Sequence, residues 1–168
     1  MHLLRHPLPA ARGRALLRVV GIGNPWRGDD AAGLAAAGHL RGTLPDGVDL
    51  LEREGEPTAL IDAWEGADAL WLLDAVSSGA TPGTVHRLDA GDRELPADLF
   101  RVSSHHLGLA DAIELARAVG RLPARVVVYG IEAASFEIGS GLTPEVAAAA
   151  VQAADAVREE VHACMRRP

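Results

Sequence analysis

Leu17-Arg18-Val19-Val20-Gly21-Ile22-Gly23 runs into Asn24-Pro25-Trp26-Arg27-Gly28, then into Asp29-Asp30-Ala31 at the head of an alanine-rich stretch ending near Leu40. The first seven residues are a short β-branched run closed by glycines, the pattern of a buried strand. Ala31 to Leu40 suits a helix, and an aspartate at or beside its N-cap offsets the positive end of the helix dipole. This segment therefore predicts strand, loop and helix, the helix starting near Asp29 or Asp30.

The same alternation continues outward. Residues 48–51 predict a second strand and residues 58–66 a short helix carrying Leu60, Ile61 and Trp64 on one side. Ala69-Leu70-Trp71-Leu72-Leu73-Asp74 is apolar up to its last residue, as a strand covered on both faces should be. Residues 83–88 alternate like a half-exposed edge strand. Ser103 or Ser104 is positioned to cap a helix reaching about Val119, and residues 125–131 form the last strand. Thr143-Pro144 reads as N-cap and first helical residue of a long C-terminal helix. Strands alternating with helices imply a single three-layer α/β/α sandwich on a mostly parallel sheet. Residues 1–16, with three arginines, two prolines and no sustained period, are expected to be a loose extension, leaving 17–168 as one domain.

Composition narrows the function. The chain has 168 residues, 48% hydrophobic and 23% charged, ordinary for a folded domain. Its basic residues are all arginine, and 16 of them against 23 acids give a net charge of −7, which suits nucleic acid poorly. One cysteine, Cys164, excludes an intramolecular disulfide and a multi-cysteine zinc site, and its place near the chain's end suggests a structural role. No run of about twenty apolar residues exists and no secretory signal opens the chain, so a cytoplasmic protein without membrane contact is expected.

The first glycine loop invites a nucleotide reading that fails on inspection. The dinucleotide fingerprint needs a third glycine three residues after the second, where Trp26 stands. Gly23 and Gly28 have phosphate-loop spacing, but Asp29 and Asp30 occupy the Lys and Ser/Thr places. Each close carboxylate–phosphate pair would be repelled by at least ~1 kcal/mol even in water.

A different constellation is more coherent. If the second strand lies outside the first and the third on its other side, the topological switch point falls between strands one and three, where ligands bind in open α/β sheets. Asp30 follows the first strand and Asp74 closes the third, so that order brings both to one crevice. His105 and His106 stand at the expected start of a later helix, whose dipole keeps an imidazole neutral and able to ligate. Asp30, Asp74 and His105 make an O,O,N set suited to Ni, Zn, Fe or Mn, with positions left open for water or substrate. Taken singly, Asp29 and Asp30 read as helix caps rather than ligands and His105 as a surface or cap histidine; only the constellation changes that reading, since spacing alone carries little metal signal. His2, His6, His39, His86 and His162 show no partner in the sequence and are expected at the surface.

Gly21-Ile22-Gly23-Asn24-Pro25-Trp26-Arg27-Gly28-Asp29-Asp30-Ala31-Ala32-Gly33 resembles the opening motif of the hydrogenase maturation endopeptidases. The resemblance continues through Leu73-Asp74-Ala75-Val76, Pro82-Gly83-Thr84, Ser104-His105-His106-Leu107-Gly108-Leu109, Tyr129-Gly130-Ile131-Glu132 and Gly141-Leu142-Thr143-Pro144, over about residues 18–160. It implies a five-stranded twisted sheet and an endopeptidase that removes the C-terminal extension of a nickel–iron hydrogenase large-subunit precursor. The family's three metal-contacting positions fall on Asp30, Asp74 and His105, which would serve both as metal ligands and as the catalytic set. Nickel carried by the precursor would be the ion recognised, another divalent cation being an option in the isolated protein. The ion would polarise the scissile carbonyl or activate a water, with Asp29 a general-base candidate by adjacency alone. A monomer is expected. Two positions depart from the family pattern: the first ligand, often Glu, is Asp30, and Arg53-Glu54-Gly55-Glu56-Pro57-Thr58 replaces a D-G-G-T-like stretch.

Rival readings are a nickel-dependent chaperone that binds the hydrogenase subunit without cutting it, a flavodoxin-like binding domain, and a peptidyl-tRNA hydrolase. The last shares the Gly23-Asn24-Pro25 turn but lacks the T-R-H-N stretch.

Overall fold

The computed structural model describes residues 13–96, 98–99 and 108–166. In chain order its elements are β1 (Leu17–Ile22), a 3-10 turn (Gly28–Ala31), α1 (Ala32–Leu40), β2 (Val48–Arg53), α2 (Pro57–Trp64), β3 (Ala69–Val76), β4 (Val85–Asp89), α3 (Leu109–Ala118), β5 (Arg125–Glu132) and α4 (Pro144–Met165). The five strands form one sheet in the order β2-β1-β3-β5-β4. The first four in that order run parallel, and β4 pairs antiparallel with β5 at the edge. The α/β expectation and the order 2-1-3 both hold, so the switch point does lie between β1 and β3.

Side-chain alternation builds the layers. Leu17, Val19, Trp71, Leu73, Val127, Tyr129 and Ile131 face α1 and α4, whose alanines include Ala32, Ala36, Ala150 and Ala153. Val20, Ile22, Leu70, Leu72, Val126 and Val128 face the other way, against Leu60, Ile61 and Trp64 of α2 and Ala112, Ile113 and Ala116 of α3. Because β3 and β5 are covered on both sides they carry continuous apolar runs, whereas the edge strand β4 is only partly buried. Buried Cys164 accepts a hydrogen bond from Arg125 Nη1 at 3.1 Å, in keeping with a structural role. Glu160 of α4 ties the layers together, accepting from Trp71 Nε1, Tyr129 Oη and Arg87 on three different strands.

Several boundaries differ from the sequence expectation. The first helix opens as a 3-10 turn with Arg27 at its N-cap and no side-chain cap, so neither Asp29 nor Asp30 is the N-cap. Glu56 caps α2, its carboxylate accepting from the Thr58 and Ala59 amides, so the departing loop stretch serves in part as a helix start. α3 starts at Leu109 with Gly108 as N-cap, its amide donating to Asp111 at 2.9 Å; Ser103 and Ser104, the expected caps, lie outside the described residues. Strands β3 and β5 run two and one residues further than expected, so Asp74 lies within β3, opposite Gly130. Leu16, placed in the loose extension by its sequence, donates its amide to Asp68 Oδ2 at 2.7 Å. Among the described residues no helix is long and apolar enough to cross a membrane.

Gly33 explains how α1 reaches the sheet. A Cβ there would lie 2.1 Å from the Leu73 carbonyl oxygen and 2.3 Å from that of Ile22. The close helix–strand approach supplied by the third glycine of a dinucleotide fingerprint is thus made here by Gly33, one 3-10 turn later. Gly33→Ala is expected to lower stability by about 2–3 kcal/mol, the upper part of the overpacking range, because backbone atoms cannot rotate away. Urea denaturation of the variant beside the parent measures it.

Candidate active site

The carboxyl ends of β1, β3 and β5 meet at one end of the sheet, and the loops that leave them converge there. Asp30 comes from the 3-10 turn after β1. Its side chain is 8% exposed, and Oδ2 accepts the Asn24 amide at 3.2 Å. Asp74 comes from β3, where Oδ1 accepts the Ala75 amide at 2.8 Å. The Asp74 carboxyl is pushed well above its ordinary 3.8, chiefly by burial and next by the Asp30 carboxylate, while the Ala75 amide pulls weakly the other way. The two acids expected at the crevice are therefore close enough to repel. Such a pair is relieved by a bound cation or by holding a proton between them.

His105 and His106 lie outside the described residues, as do His2 and His6. Among the described residues no group of three His, Cys, Asp or Glu side chains is arranged to hold a metal ion.

Asp29 has a different task from its neighbour. It is fully buried, and its carboxylate accepts the amides of Ala134 at 2.8 Å, Ser135 at 3.0 Å and Thr143 at 2.7 Å, together with the Thr143 hydroxyl. Its own amide donates to the Ser135 carbonyl at 2.9 Å. These bonds fasten the loop between β5 and α4 onto the loop after β1. They occupy the carboxylate and argue against a general-base role, and they explain why the Thr143 hydroxyl does not cap α4. Gly28 permits the contact: its φ is +55°, and a Cβ would meet the Ser135 carbonyl oxygen at 2.7 Å.

Glu132 at the end of β5 organises the opposite side. With 2% of its surface exposed, it accepts the Ser78 amide and hydroxyl, both at 2.8 Å, the Gly79 amide at 3.1 Å and His86 Nε2 at 3.1 Å. His86, expected to be a surface residue without a partner, is therefore paired. Burial alone would raise the Glu132 carboxyl, but the bonds from Ser78, then from His86 and Gly79, outweigh it and hold it below its ordinary 4.5. A carboxyl depressed in the folded state binds fewer protons there than in the unfolded chain. It stabilises at pH above about 4.5, and that contribution fades as pH falls through the lower folded value. Glu132→Gln is expected to flatten the acid limb of a melting-temperature profile recorded below pH 5. The sequence hints of this anchor were an acid at the end of a mostly apolar strand and its place in the Tyr129–Glu132 block that carries the family resemblance.

The model of the family described as HycI: Hydrogenase maturation protease matches residues 37–160. The hydrogenase 2 maturation protease of Escherichia coli K12 is 37% identical over 135 residues, 77% of this chain and 80% of that protein. The hydrogenase expression/formation protein HupD of Rhodobacter capsulatus is 34% identical over 158 residues, 90% of this chain and 74% of its own length. The solved structure of the E. coli hydrogenase maturating endopeptidase HybD superposes with a TM-score of 0.73 at 31% identity, covering 88% of this chain and 92% of that one.

Proposed function

Because this chain belongs to the hydrogenase maturation protease family, we propose that it removes the C-terminal extension of a nickel–iron hydrogenase large-subunit precursor after nickel insertion, acting in the cytoplasm. Asp30 and Asp74, joined by His105, take hold of nickel that the precursor itself carries. The observation that carries this reading is the sheet order β2-β1-β3, which brings Asp30 from the turn after β1 and Asp74 from β3 to the switch point, where burial and the Asp30 carboxylate push the Asp74 carboxyl up. Two acids kept in mutual repulsion form a receptor for a divalent cation, and an ion so placed supplies Lewis acidity at the peptide bond to be cut. With only a few protein ligands the grip is weak, which suits an ion that arrives and leaves with the substrate.

The chain's own residues do the rest. Asn24 holds one oxygen of Asp30 and Ala75 one of Asp74, so each carboxylate is oriented before substrate arrives. Asp29 and Glu132 brace the loops on either side of the pair, which limits the rearrangement needed on binding.

The test mixes the protein with nickel-loaded and nickel-free precursor and follows the precursor by mass spectrometry. Loss of a C-terminal peptide from the loaded form alone is the expected result. Equal trimming of both forms would remove nickel from the recognition step. Complex formation without a shortened product would favour the non-cleaving chaperone.

A further inference from the structure

Two large apolar side chains stand out in solvent on the loops that follow β1 and β5, at the end of the sheet that carries Asp30 and Asp74. Trp26 is 74% exposed and Ile138 81%, the two highest values among the exposed large hydrophobics of the described residues. They lie in different loops, after β1 and after β5, yet the Gly139 amide donates to the Trp26 carbonyl at 2.9 Å. The Arg27 guanidinium stacks 5.0 Å from the Phe136 ring, and the three amides and one hydroxyl bonded to the Asp29 carboxylate lock the same two loops together. Within the first loop Asn24 Oδ1 accepts the Trp26 amide at 2.9 Å, and the Asn24 amide binds Asp30. Trp26 and Ile138 thus belong to one braced rim, continuous with the carboxylate expected to meet the substrate's metal.

Exposing a tryptophan and an isoleucine together is unfavourable in water, and loop packing does not explain it, since Arg27 and Phe136 make the packing contact. Apolar side chains carried on a braced backbone bind without the cost of ordering their loops, and aromatic anchors are among the residues that dominate binding energies. A protease must hold its polypeptide beside the bond it cuts, and this rim adjoins the acids assigned to that bond. We propose that Trp26 and Ile138 form the dock on which an apolar segment of the precursor, next to the scissile bond, is seated. The proposal rests on the proteolytic reading above and adds the chemistry of the substrate segment.

The test uses Trp26→Ala, Ile138→Ala and the conservative Trp26→Phe with nickel-loaded precursor, measuring kcat and KM separately. Each alanine variant is expected to raise KM by roughly tenfold or more, with kcat and melting temperature near those of the parent, and Trp26→Phe to recover most of the loss. A second measurement does not need cleavage. Trp64 and Trp71 are fully buried, so acrylamide quenching of tryptophan fluorescence reports on Trp26. Bound precursor is expected to shield Trp26 from the quencher, and shielding without cutting would uphold the dock while the proteolytic reading failed. Unchanged KM with no shielding would overturn the dock while leaving proteolysis intact. So would loss of self-association in Trp26→Ala at unchanged KM, which would make the rim a contact between copies of this chain.

Discussion

Asp30→Ala and Asp74→Ala are each expected to leave nickel-loaded precursor essentially uncut, with turnover at least ~100-fold below the parent. Loss of a group that merely orients a metal ligand already lowers affinity or activity by about 10–100-fold, and these two carboxylates are assigned as the ligands themselves. Asp74→Asn separates charge from shape. Burial and Asp30 raise the Asp74 pKa above 3.8, so between that value and the higher folded one the native state binds more protons than the unfolded chain. Stability therefore falls as pH rises through this window, and ionised Asp74 is a liability at neutral pH. The asparagine variant is expected to be inactive yet more stable than the parent at pH 7, the advantage disappearing near pH 3–4. Thermal melts against pH, run beside the precursor assay, check both halves. A variant that cuts normally would take Asp74 out of the mechanism.

Asp29→Ala, one residue away, is expected to fail differently. It withdraws the acceptor from three backbone amides and one hydroxyl in a buried setting. Hydrogen bonds to charged groups contribute about 1.5–3 kcal/mol each, and donors left unpaired add a desolvation penalty, part of which water recovers at this loop. A net loss of about 3–5 kcal/mol is expected, equivalent to roughly 6–20 °C in melting temperature for a chain of this size. Differential scanning calorimetry measures it. Cleavage by the fraction still folded is expected to show a raised KM, because the two loops that Asp29 joins loosen. Unchanged stability would mean that the 133–143 loop is held by something other than this carboxylate.

The adjacent aspartates show what local pattern can reveal. Both read alike in the sequence, as acids at the head of a helix, and both could be assigned as caps. Neither is the cap. The neighbours that divide their roles, Asp74 for one and Ala134, Ser135 and Thr143 for the other, lie far along the chain. His86 was read as unpartnered for the same reason, since Glu132 meets it from 46 positions away.

What the amino-acid order determined by itself was the succession of strands and helices, the two-sided burial of β3 and β5, and the placing of Asp30 after β1 and of Asp74 in the last part of β3. Those follow from periodicity, glycine and charge, which act over a few residues. Only the tertiary structure decided that the acids repel, that Gly33 lets α1 lie against two strand carbonyls, and that Trp26 and Ile138 share a rim. These depend on how loops from separate strands close over one end of the sheet, a matter of distance in space that no local repeat encodes.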